Sequence, residues 1–345
     1  MRPYNVAIAG ATGAVGMEFL RLLEEREFPL GSLRLLASAR SAGKTIRFAG
    51  KDLNVEEMTA DSFAGIDIAF FSAGGGRSKE FASAAIAAGA LVIDNSSAFR
   101  MTPGVPLVVP EVNGEDALQH KGLIANPNCS TIILLMALKP LLDLAPIRRV
   151  VVSTYQAASG AGAQAMEELQ QQTRAIVAGE PVVKEIFPHQ IAFNLFSHNT
   201  AIDDSGYNEE ELKMVKETRK ILHQPDLAVT ATCIRVPIPR AHSESVNVEF
   251  AGPRPTVEAA RAALAAFPGV RVVDDRAMNY FPMPIDASGK DEVLVGRLRE
   301  DASHPNALDF FVAGDQILKG AALNGYQIAE YLIARDAVAM GGAPS

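Results

Sequence analysis

Near its amino terminus the chain passes from a short apolar stretch, Tyr4-Asn5-Val6-Ala7-Ile8-Ala9, straight into Gly10-Ala11-Thr12-Gly13-Ala14-Val15-Gly16 and then into a predicted helix from about Val15 to Arg26. Buried strand, glycine turn and helix in unbroken succession are the opening unit of a doubly wound α/β sheet. Glycines let backbone approach a pyrophosphate closely, and the first N–H groups of the helix have no intrahelical partner, so they offer an anion a binding end. The spacing is G-x-x-G-x-x-G rather than the commoner G-x-G-x-x-G. On this motif alone, a glycine turn that holds no ligand stays open.

The next strand, predicted at Leu33 to Ala37, ends in Ser38-Ala39-Arg40-Ser41-Ala42-Gly43-Lys44. An NAD site usually carries an Asp or Glu here to bind the ribose 2′-hydroxyl, whereas a 2′-phosphate calls for a cation and hydroxyl donors. No acid is present. Arg40 with Ser38 and Ser41 suits a phosphate, so the expected cofactor is NADP.

Alternation of strand and helix continues through the first part of the chain. Further strands are predicted at Ile66 to Ser72, Leu91 to Asp94, Leu107 to Val109 and Leu123 to Ala125, with a helix near Ser78 to Ala88. From Arg148 the pattern changes to longer β-rich runs at Val150 to Tyr155, Ala228 to Val236, Ser245 to Phe250, Val270 to Val273, Glu292 to Leu298 and Leu308 to Val312. Helices near Gly162 to Ala178, Glu209 to Leu222 and Thr256 to Phe267 intervene. The expected fold is therefore α/β: a Rossmann-type dinucleotide-binding domain over residues 1–128, and an α+β domain with a mostly antiparallel sheet over 129–317. A last helix over about 318–340 returns to the first domain, and Gly341 to Ser345 is expected to fray.

Composition restricts the function classes. The 345 residues are 48% hydrophobic and 21% charged, near the globular average, and the formal net charge is -8. Without a basic block or an aromatic-interleaved basic stretch, nucleic-acid binding is not expected. No apolar run approaches the length of a membrane span, and no leader is recognisable at Met1-Arg2-Pro3-Tyr4. Two cysteines give neither a disulfide framework nor a metal cluster, which fits a reducing cytoplasm.

One of those cysteines sits at a chemically privileged point. Leu123 to Ala125 is closed by Asn126-Pro127-Asn128, and Thr131 to Leu144 reads as a core-packed helix, so Cys129 is placed at a helix start. The partial positive charge there favours thiolate over thiol. A small buried hydrophobe is the plainer alternative for Cys129, and it is the reading given to Cys233, which lies within a predicted strand.

Five runs in the same order, covering essentially the whole chain, resemble aspartate-β-semialdehyde dehydrogenase. Beside the glycine turn and Asn128-Cys129-Ser130-Thr131 they are Ser96-Ser97-Ala98-Phe99-Arg100, Gln156-Ala157-Ala158-Ser159-Gly160-Ala161-Gly162 and Arg235-Val236-Pro237-Ile238-Pro239-Arg240-Ala241-His242. The resemblance implies reversible reduction of L-aspartyl 4-phosphate by NADPH to L-aspartate 4-semialdehyde. That step leads to lysine through diaminopimelate, and to methionine, threonine and isoleucine.

By resemblance Cys129 forms a thioester, His242 is the acid/base and Gln156 orients the acyl group. Asn128 and Arg235 meet the substrate, Arg235 at its α-carboxylate; Glu210 takes the amino group, and Arg100 with Lys213 the phosphate. Gly10, Thr12, Gly13, Ala14, Val15, Gly16, Ser38, Arg40 and Ser41 contact the cofactor, as do Ser159, Gly160, Gly162 and Gln316. Taken as isolated residues, His242 and Gln156 fit solvated positions equally well, Glu210 and Lys213 fit an ordinary helix surface, and the register within Glu209-Glu210-Glu211 is open by one. Pro237 and Pro239 interrupt any ladder between Arg235 and His242, so spacing does not show whether the two converge.

A homodimer through the second domain's sheet is also implied. Two rival enzymes share the chemistry: an N-acetylglutamyl-phosphate reductase, whose cysteine typically follows Pro-Gly, and a glyceraldehyde-phosphate-type dehydrogenase, whose substrate lacks an α-amino acid head. The third rival is a non-catalytic NADP-binding relative.

Overall fold

The computed structural model describes residues 2–339. The tail Gly341 to Ser345 lies outside them. Two compact units are present: Met1–Asn128 with Ala321–Ser345, and Cys129–Gly320.

In the first unit, strands β1 (Tyr4–Ala9), β2 (Leu30–Ala37), β3 (Thr45–Phe48), β4 (Lys51–Glu57), β5 (Ile68–Phe71), β6 (Leu91–Asp94) and β7 (Leu123–Ala125) form a seven-stranded sheet in the order β3-β4-β2-β1-β5-β6-β7. Every pairing is parallel except β3 with β4. Val6 to Ala9, Ile68 to Phe71 and Leu91 to Asp94 are buried, as parallel strands covered on both faces must be. Helices α1 (Ala14–Glu25), α2 (Gly75–Ala87) and the short α3 (Pro110–Asn113) connect them. Phe19 of α1 stacks on Phe70 of β5 with ring centroids 4.5 Å apart. The last helix, Leu323–Ile333, packs here too, and a Cβ at its Gly325 would lie 3.0 Å from Phe19 Cζ. Buried amides tie that helix down: Asn324 Nδ2 donates to Val108 O and Asn126 Oδ1, while Asn126 Nδ2 donates to Asn95 Oδ1 and Ala321 O.

Three local expectations need correction. Leu107 to Val109 is no strand: Leu107 makes a single bridge to Ala125, and the chain turns into α3 at Pro110, whose fixed φ suits a helix start. The hairpin β3–β4 is unforeseen, because Lys51-Asp52-Leu53-Asn54-Val55-Glu56-Glu57 is mostly charged; its turn, Ala49 and Gly50, takes positive φ at both positions (44° and 75°), as tight hairpins require. The last helix is shorter than predicted. Leu318–Ala322 is a π turn, and the α-helix ends at Ile333, where Ala337 N–H bonds back to Leu332 O.

The second unit opens with α4 (Cys129–Leu144), followed by β8 (Ile147–Gln156), α5 (Ala163–Ala178), β9 (Phe196–Ser197), α6 (Glu209–Ile221), β10 (Ala228–Arg235), β11 (His242–Phe250), α7 (Val257–Ala266), β12 (Val270–Val272), α8 (Pro284–Ala287), β13 (Val293–Glu300) and β14 (Ala307–Gly314). Its sheet has the order β12-β13-β14-β11-β8-β10-β9. Only β8 with β10 and β12 with β13 pair in parallel. Residues Ser130 to Leu138 of α4 are all buried, so this helix is a core element rather than an amphipathic cover. Along β8, Val150, Val152, Thr154 and Gln156 point inward while Tyr155 is exposed, the two-residue period of a half-covered sheet.

The β1–α1 turn generates a stability prediction. Gly10 has φ +96°, and a Cβ there would lie 2.5 Å from Ser72 O; a Cβ at Gly16 would lie 2.3 Å from Gly10 O. Both neighbours are backbone and cannot swing aside. Gly16→Ala should therefore lower unfolding stability by about 1 to 3 kcal/mol, read from the denaturant midpoint. An unchanged midpoint would mean the turn has slack that this packing denies it.

Candidate active site

Three polar residues of the second unit are brought together by strand register. Arg235 of β10 lies opposite Gln156 of β8, and Ser243 of β11 lies opposite Tyr155, which sets His242 beside Gln156 from the other flank. His242 in turn faces Gly314 of β14. All three side chains occupy the inward face, with exposures of 2% for Arg235, 1% for Gln156 and 0% for His242. Solvated-surface readings of Gln156 and His242 are thereby excluded. Arg235 and His242 do converge, despite the prolines between them. A Cβ built on Gly160 would sit 3.0 Å from Arg235 Nη1 and 3.2 Å from His242 Nε2, so only glycine allows the loop to lie against both.

The loops at this edge are held by specific bonds. Ala157 N–H donates to His242 Nδ1 at 3.0 Å. In the neutral ring the proton therefore sits on Nε2, a buried atom with no hydrogen-bond partner among the described residues. Burial, reinforced by the charge of Arg235, pushes the His242 pKa well below its ordinary value, so the ring is neutral. Ala241 just before it has φ 72°, and its N–H donates to Gln316 Oε1 at 2.8 Å. Gln316 Nε2 also meets Ser159 Oγ. Asp315, fully buried, accepts from Arg240 Nε and from the N–H groups of Gly289, Ile317 and Leu318.

Cys129 is the first residue of α4 and is partly exposed, as the turn-and-helix reading requires. Helix α4 lies over β14: a Cβ at Gly314 would be 3.0 Å from Ile133 Cγ1, and Cys129 is one turn earlier on the same helical face. A Cβ at Gly320 would lie 3.0 Å from Cys129 Cβ, so a second glycine admits the cysteine. Arg235 feels both acidic groups of the site: burial lowers its pKa, and Glu210 and then Cys129 oppose that shift. Cys233 is the contrast. It is wholly buried, its Sγ lies 3.7 Å from Met214 Sδ, and burial pushes its thiol far up, away from reactivity.

Hydrogen bonds distinguish the glutamates of this run from one another. Glu209 faces solvent. Glu211 caps its own helix, accepting from Asn208 N–H and from Cys233 N–H. Glu210 is the residue aimed at the site: its Oε1 accepts from Gln156 Nε2 at 3.1 Å and its Oε2 from Lys213 Nζ at 3.3 Å. Glu210 is 5% exposed, so the pair is not an ordinary solvated helix surface.

The remaining predicted residues are spread over both units. In the first unit, Gly13 precedes α1 without any side-chain cap, so its side of the helix start offers no side-chain acceptor to the first N–H groups; Thr12 is exposed beside it. Ser38 and Arg40 are exposed on the single turn that follows β2, and Ser41 is buried beneath them. Arg100 is buried, with Nε donating to Asn126 O and Nη2 to Asn95 O. Asn128, also buried, directly precedes Cys129. In the second unit, Ser159 and Gly162 bracket the turn that carries Gly160, and Gly162 has φ +99° at the start of α5.

Sequence reasoning missed three groups. His198 Nε2 accepts from Arg235 Nη2 at 2.8 Å, and Phe187 lies 5.5 Å from the same guanidinium. Both lie in the long segment between α5 and α6, which has no periodicity to mark them. The third is Glu244, two residues after His242 and therefore on the same face of β11. It is fully buried, and neither carboxylate oxygen has a partner among the described residues. An alternation rule could have flagged it.

Comparisons with known proteins agree in direction. The family model described as semialdehyde dehydrogenase, NAD binding domain, matches residues 5–120, and the one described as semialdehyde dehydrogenase, dimerisation domain, matches residues 138–319. The chain is 58% identical to the aspartate-semialdehyde dehydrogenase of Synechocystis sp., across 96% of this chain and 98% of that one. It is 49% identical to that of Bacillus subtilis over the same shares. A crystal structure of aspartate semialdehyde dehydrogenase II from Vibrio cholerae, complexed with ASA, superposes with a TM-score of 0.93 at 45% identity, covering 97% of this chain and 99% of that one. The Candida albicans aspartate semialdehyde dehydrogenase with NADP gives a TM-score of 0.77 at 26% identity, over 97% and 99% of the two chains.

Glu244 yields a pH prediction. Burial raises its pKa well above the ordinary carboxylate value, so the folded form holds its proton. A raised folded pKa gives stability that is full below the unfolded carboxylate pKa and lost as pH rises through the folded one. Glu244→Gln, which cannot ionise, should therefore gain melting temperature over wild type by a margin that widens from pH 5 to pH 8. A constant margin would show that burial does not raise the pKa of Glu244 in the folded protein.

Proposed function

Because the chain belongs to the aspartate-semialdehyde dehydrogenase family, we propose that it catalyses the reversible, NADP-dependent conversion of L-aspartyl 4-phosphate to L-aspartate 4-semialdehyde with release of phosphate. The observation that carries this reading is the meeting of Arg235 and His242 at Gly160, with Gln156 between them on one rung and a helix-start cysteine beside the same edge. A non-catalytic relative would have no need to keep a partly exposed cysteine and a buried histidine with an unsatisfied Nε2.

Each residue has work suited to its surroundings. Cys129, favoured as thiolate by the helix start and by the charge of Arg235, attacks the acyl phosphate and carries the acyl group as a thioester. Gln156, fixed through its amide to Glu210, orients that acyl group. His242 presents Nε2–H to the oxygen that gains charge and shares its proton there. Arg235 is placed for the α-carboxylate and Glu210 for the α-amino group, with Lys213 and Arg100 assigned to the phosphate and Asn128 to the substrate beside the nucleophile. In the first unit the features that fit a dinucleotide are a turn whose close approaches only glycine permits and an uncapped helix start at Ala14. Gly10, Thr12, Gly13, Ala14, Val15 and Gly16 would hold its pyrophosphate, Ser38, Arg40 and Ser41 its 2′-phosphate, and Ser159, Gly160, Gly162 and Gln316 its nicotinamide end. NADPH, when bound, supplies the hydride that reduces the acyl group.

A homodimer through the open face of the second sheet belongs to the same reading. That face carries exposed Tyr155 beside Phe311, ring centroids 6.2 Å apart, next to an apolar hollow lined by Phe281, Pro282, Met283 and Phe310. Apolar surface of this kind is what a second copy would cover. No helix among the described residues is long and apolar enough to cross a membrane, and a cytoplasmic place in amino-acid biosynthesis follows from the family's reaction.

Function is tested by following reduced cofactor with NADP and each of L-aspartate 4-semialdehyde, N-acetylglutamate semialdehyde and glyceraldehyde 3-phosphate, with and without inorganic phosphate. Only the first should turn over, and it should need phosphate. Iodoacetamide should abolish turnover by alkylating Cys129 while buried Cys233 stays unmodified; labelling of Cys233 with activity loss would overturn the nucleophile. Arg40→Ala should weaken NADPH binding about ten- to a hundredfold, the equivalent of roughly 1.5 to 3 kcal/mol for a charge-assisted bond, with NADH affinity nearly unchanged. Equal loss for both cofactors would remove Arg40 from 2′-phosphate recognition.

A further inference from the structure

Arg235 is a buried cation with an unusual set of partners. Its Nη1 donates to Ala157 O at 2.8 Å and its Nη2 to His198 Nε2 at 2.8 Å, while Nε is buried with no partner among the described residues. Both acceptors are neutral, since His198 can accept at Nε2 only when that nitrogen carries no proton. A guanidinium held by neutral groups keeps its charge for a ligand, whereas a carboxylate partner would consume it. The orientation comes from His198.

His198 is itself fixed from two sides. Its backbone N–H donates to Cys233 O at 2.8 Å, two residues before Arg235 on β10, in line with the pairing of β9 and β10 that sets Phe196 opposite Arg235. Its Nδ1 lies 3.2 Å from Thr200 Oγ1, and Thr200 Oγ1 accepts from Glu210 N–H at 3.2 Å. An unbroken run of hydrogen bonds therefore joins Arg235, His198, Thr200 and Glu210, and Glu210 closes onto Gln156 and Lys213. The first and last members of the run are the two opposite charges of this pocket. His198 is 9% exposed and is held neutral, with a pKa lowered to about 4 by burial, which Glu210 opposes and Arg235 and Lys213 assist.

We propose that His198, acting with Thr200, is a positioning residue that sets Arg235 at a fixed separation from Glu210, and so makes the site select aldehydes bearing both an α-carboxylate and an α-amino group. The inference rests on the assignment of Arg235 and Glu210 made above and adds the element that spaces them. A ligand with only one of the two groups would meet one of the two side chains and forgo the charge-assisted bond to the other, which lowers its affinity.

The experiment uses the whole protein with NADP, phosphate and either L-aspartate 4-semialdehyde or succinate semialdehyde, which lacks the α-amino group. His198→Leu keeps bulk but removes the acceptor, His198→Gln restores an acceptor, and Thr200→Val cuts the link to Glu210 without touching Arg235. The expected result is a KM for L-aspartate 4-semialdehyde raised about tenfold or more in His198→Leu and Thr200→Val, with kcat and the KM for NADP within about threefold of wild type. Preference over succinate semialdehyde should narrow in both, and His198→Gln should recover most of it. Unchanged KM and preference in His198→Leu or Thr200→Val would overturn the proposal. So would a joint fall of kcat, KM selectivity and melting temperature that His198→Gln does not rescue, since that marks a merely structural residue. If wild type turns over L-aspartate 4-semialdehyde and these variants match it, only His198 loses its role; if wild type prefers an aldehyde without the amino acid head, the proposed function fails with it.

Discussion

The chemistry of the second unit depends on the pairing of β8 with two neighbours of opposite sense. Because β10 runs parallel to it and β11 antiparallel, the ends of three strands, Gln156, Arg235 and His242, fall on one rung and one face. Each backbone pairing is set by many ladder bonds, and a slip of one residue would turn all three side chains to the opposite face. The polar rung is thus held in place by the apolar residues behind it, Val150 and Val152 on β8 and Val246 and Val248 on β11, all buried.

Polar groups brought into such a place must be neutralised or paired. The protein uses three solutions side by side. Glu210 is paired, with Gln156 and Lys213. His198 and His242 are kept neutral by burial and by the positive charge of Arg235. Arg235, which cannot lose its proton, is met by a carbonyl and by a neutral imidazole. Glu244, one rung behind His242, follows the second solution and keeps its proton. The charges left in the pocket are that of Arg235 and those of the Glu210–Lys213 pair.

Glycine supplies the close approaches that side chains would block. Gly160 lies against Arg235 and His242, Gly320 against Cys129 and Gly314 against Ile133, and in the first unit Gly10 and Gly16 lie against backbone. The two units thus use one device for different purposes: in one it brings backbone to an uncapped helix start, in the other it lets loops close over reactive side chains.

Much of this was legible in the linear chain. Local chemistry announces itself over a few residues, so the glycine turn, the acid-free end of β2, the helix-start cysteine and the alternation of elements could all be read directly. Period and propensity recovered most strands to within a few residues, and failed where charge masked a hairpin at Thr45 to Glu57 or where a β-rich triplet, Leu107 to Val109, found no partner strand along its length. What no reading of spacing could supply was proximity. The meeting of Arg235 with His242 across two prolines, the contact of Glu210 rather than its neighbours with Gln156, and the burial of His198 and Glu244 were decided by register and by packing. These are properties of pairs of segments distant in sequence, and they exist only once the sheet has formed.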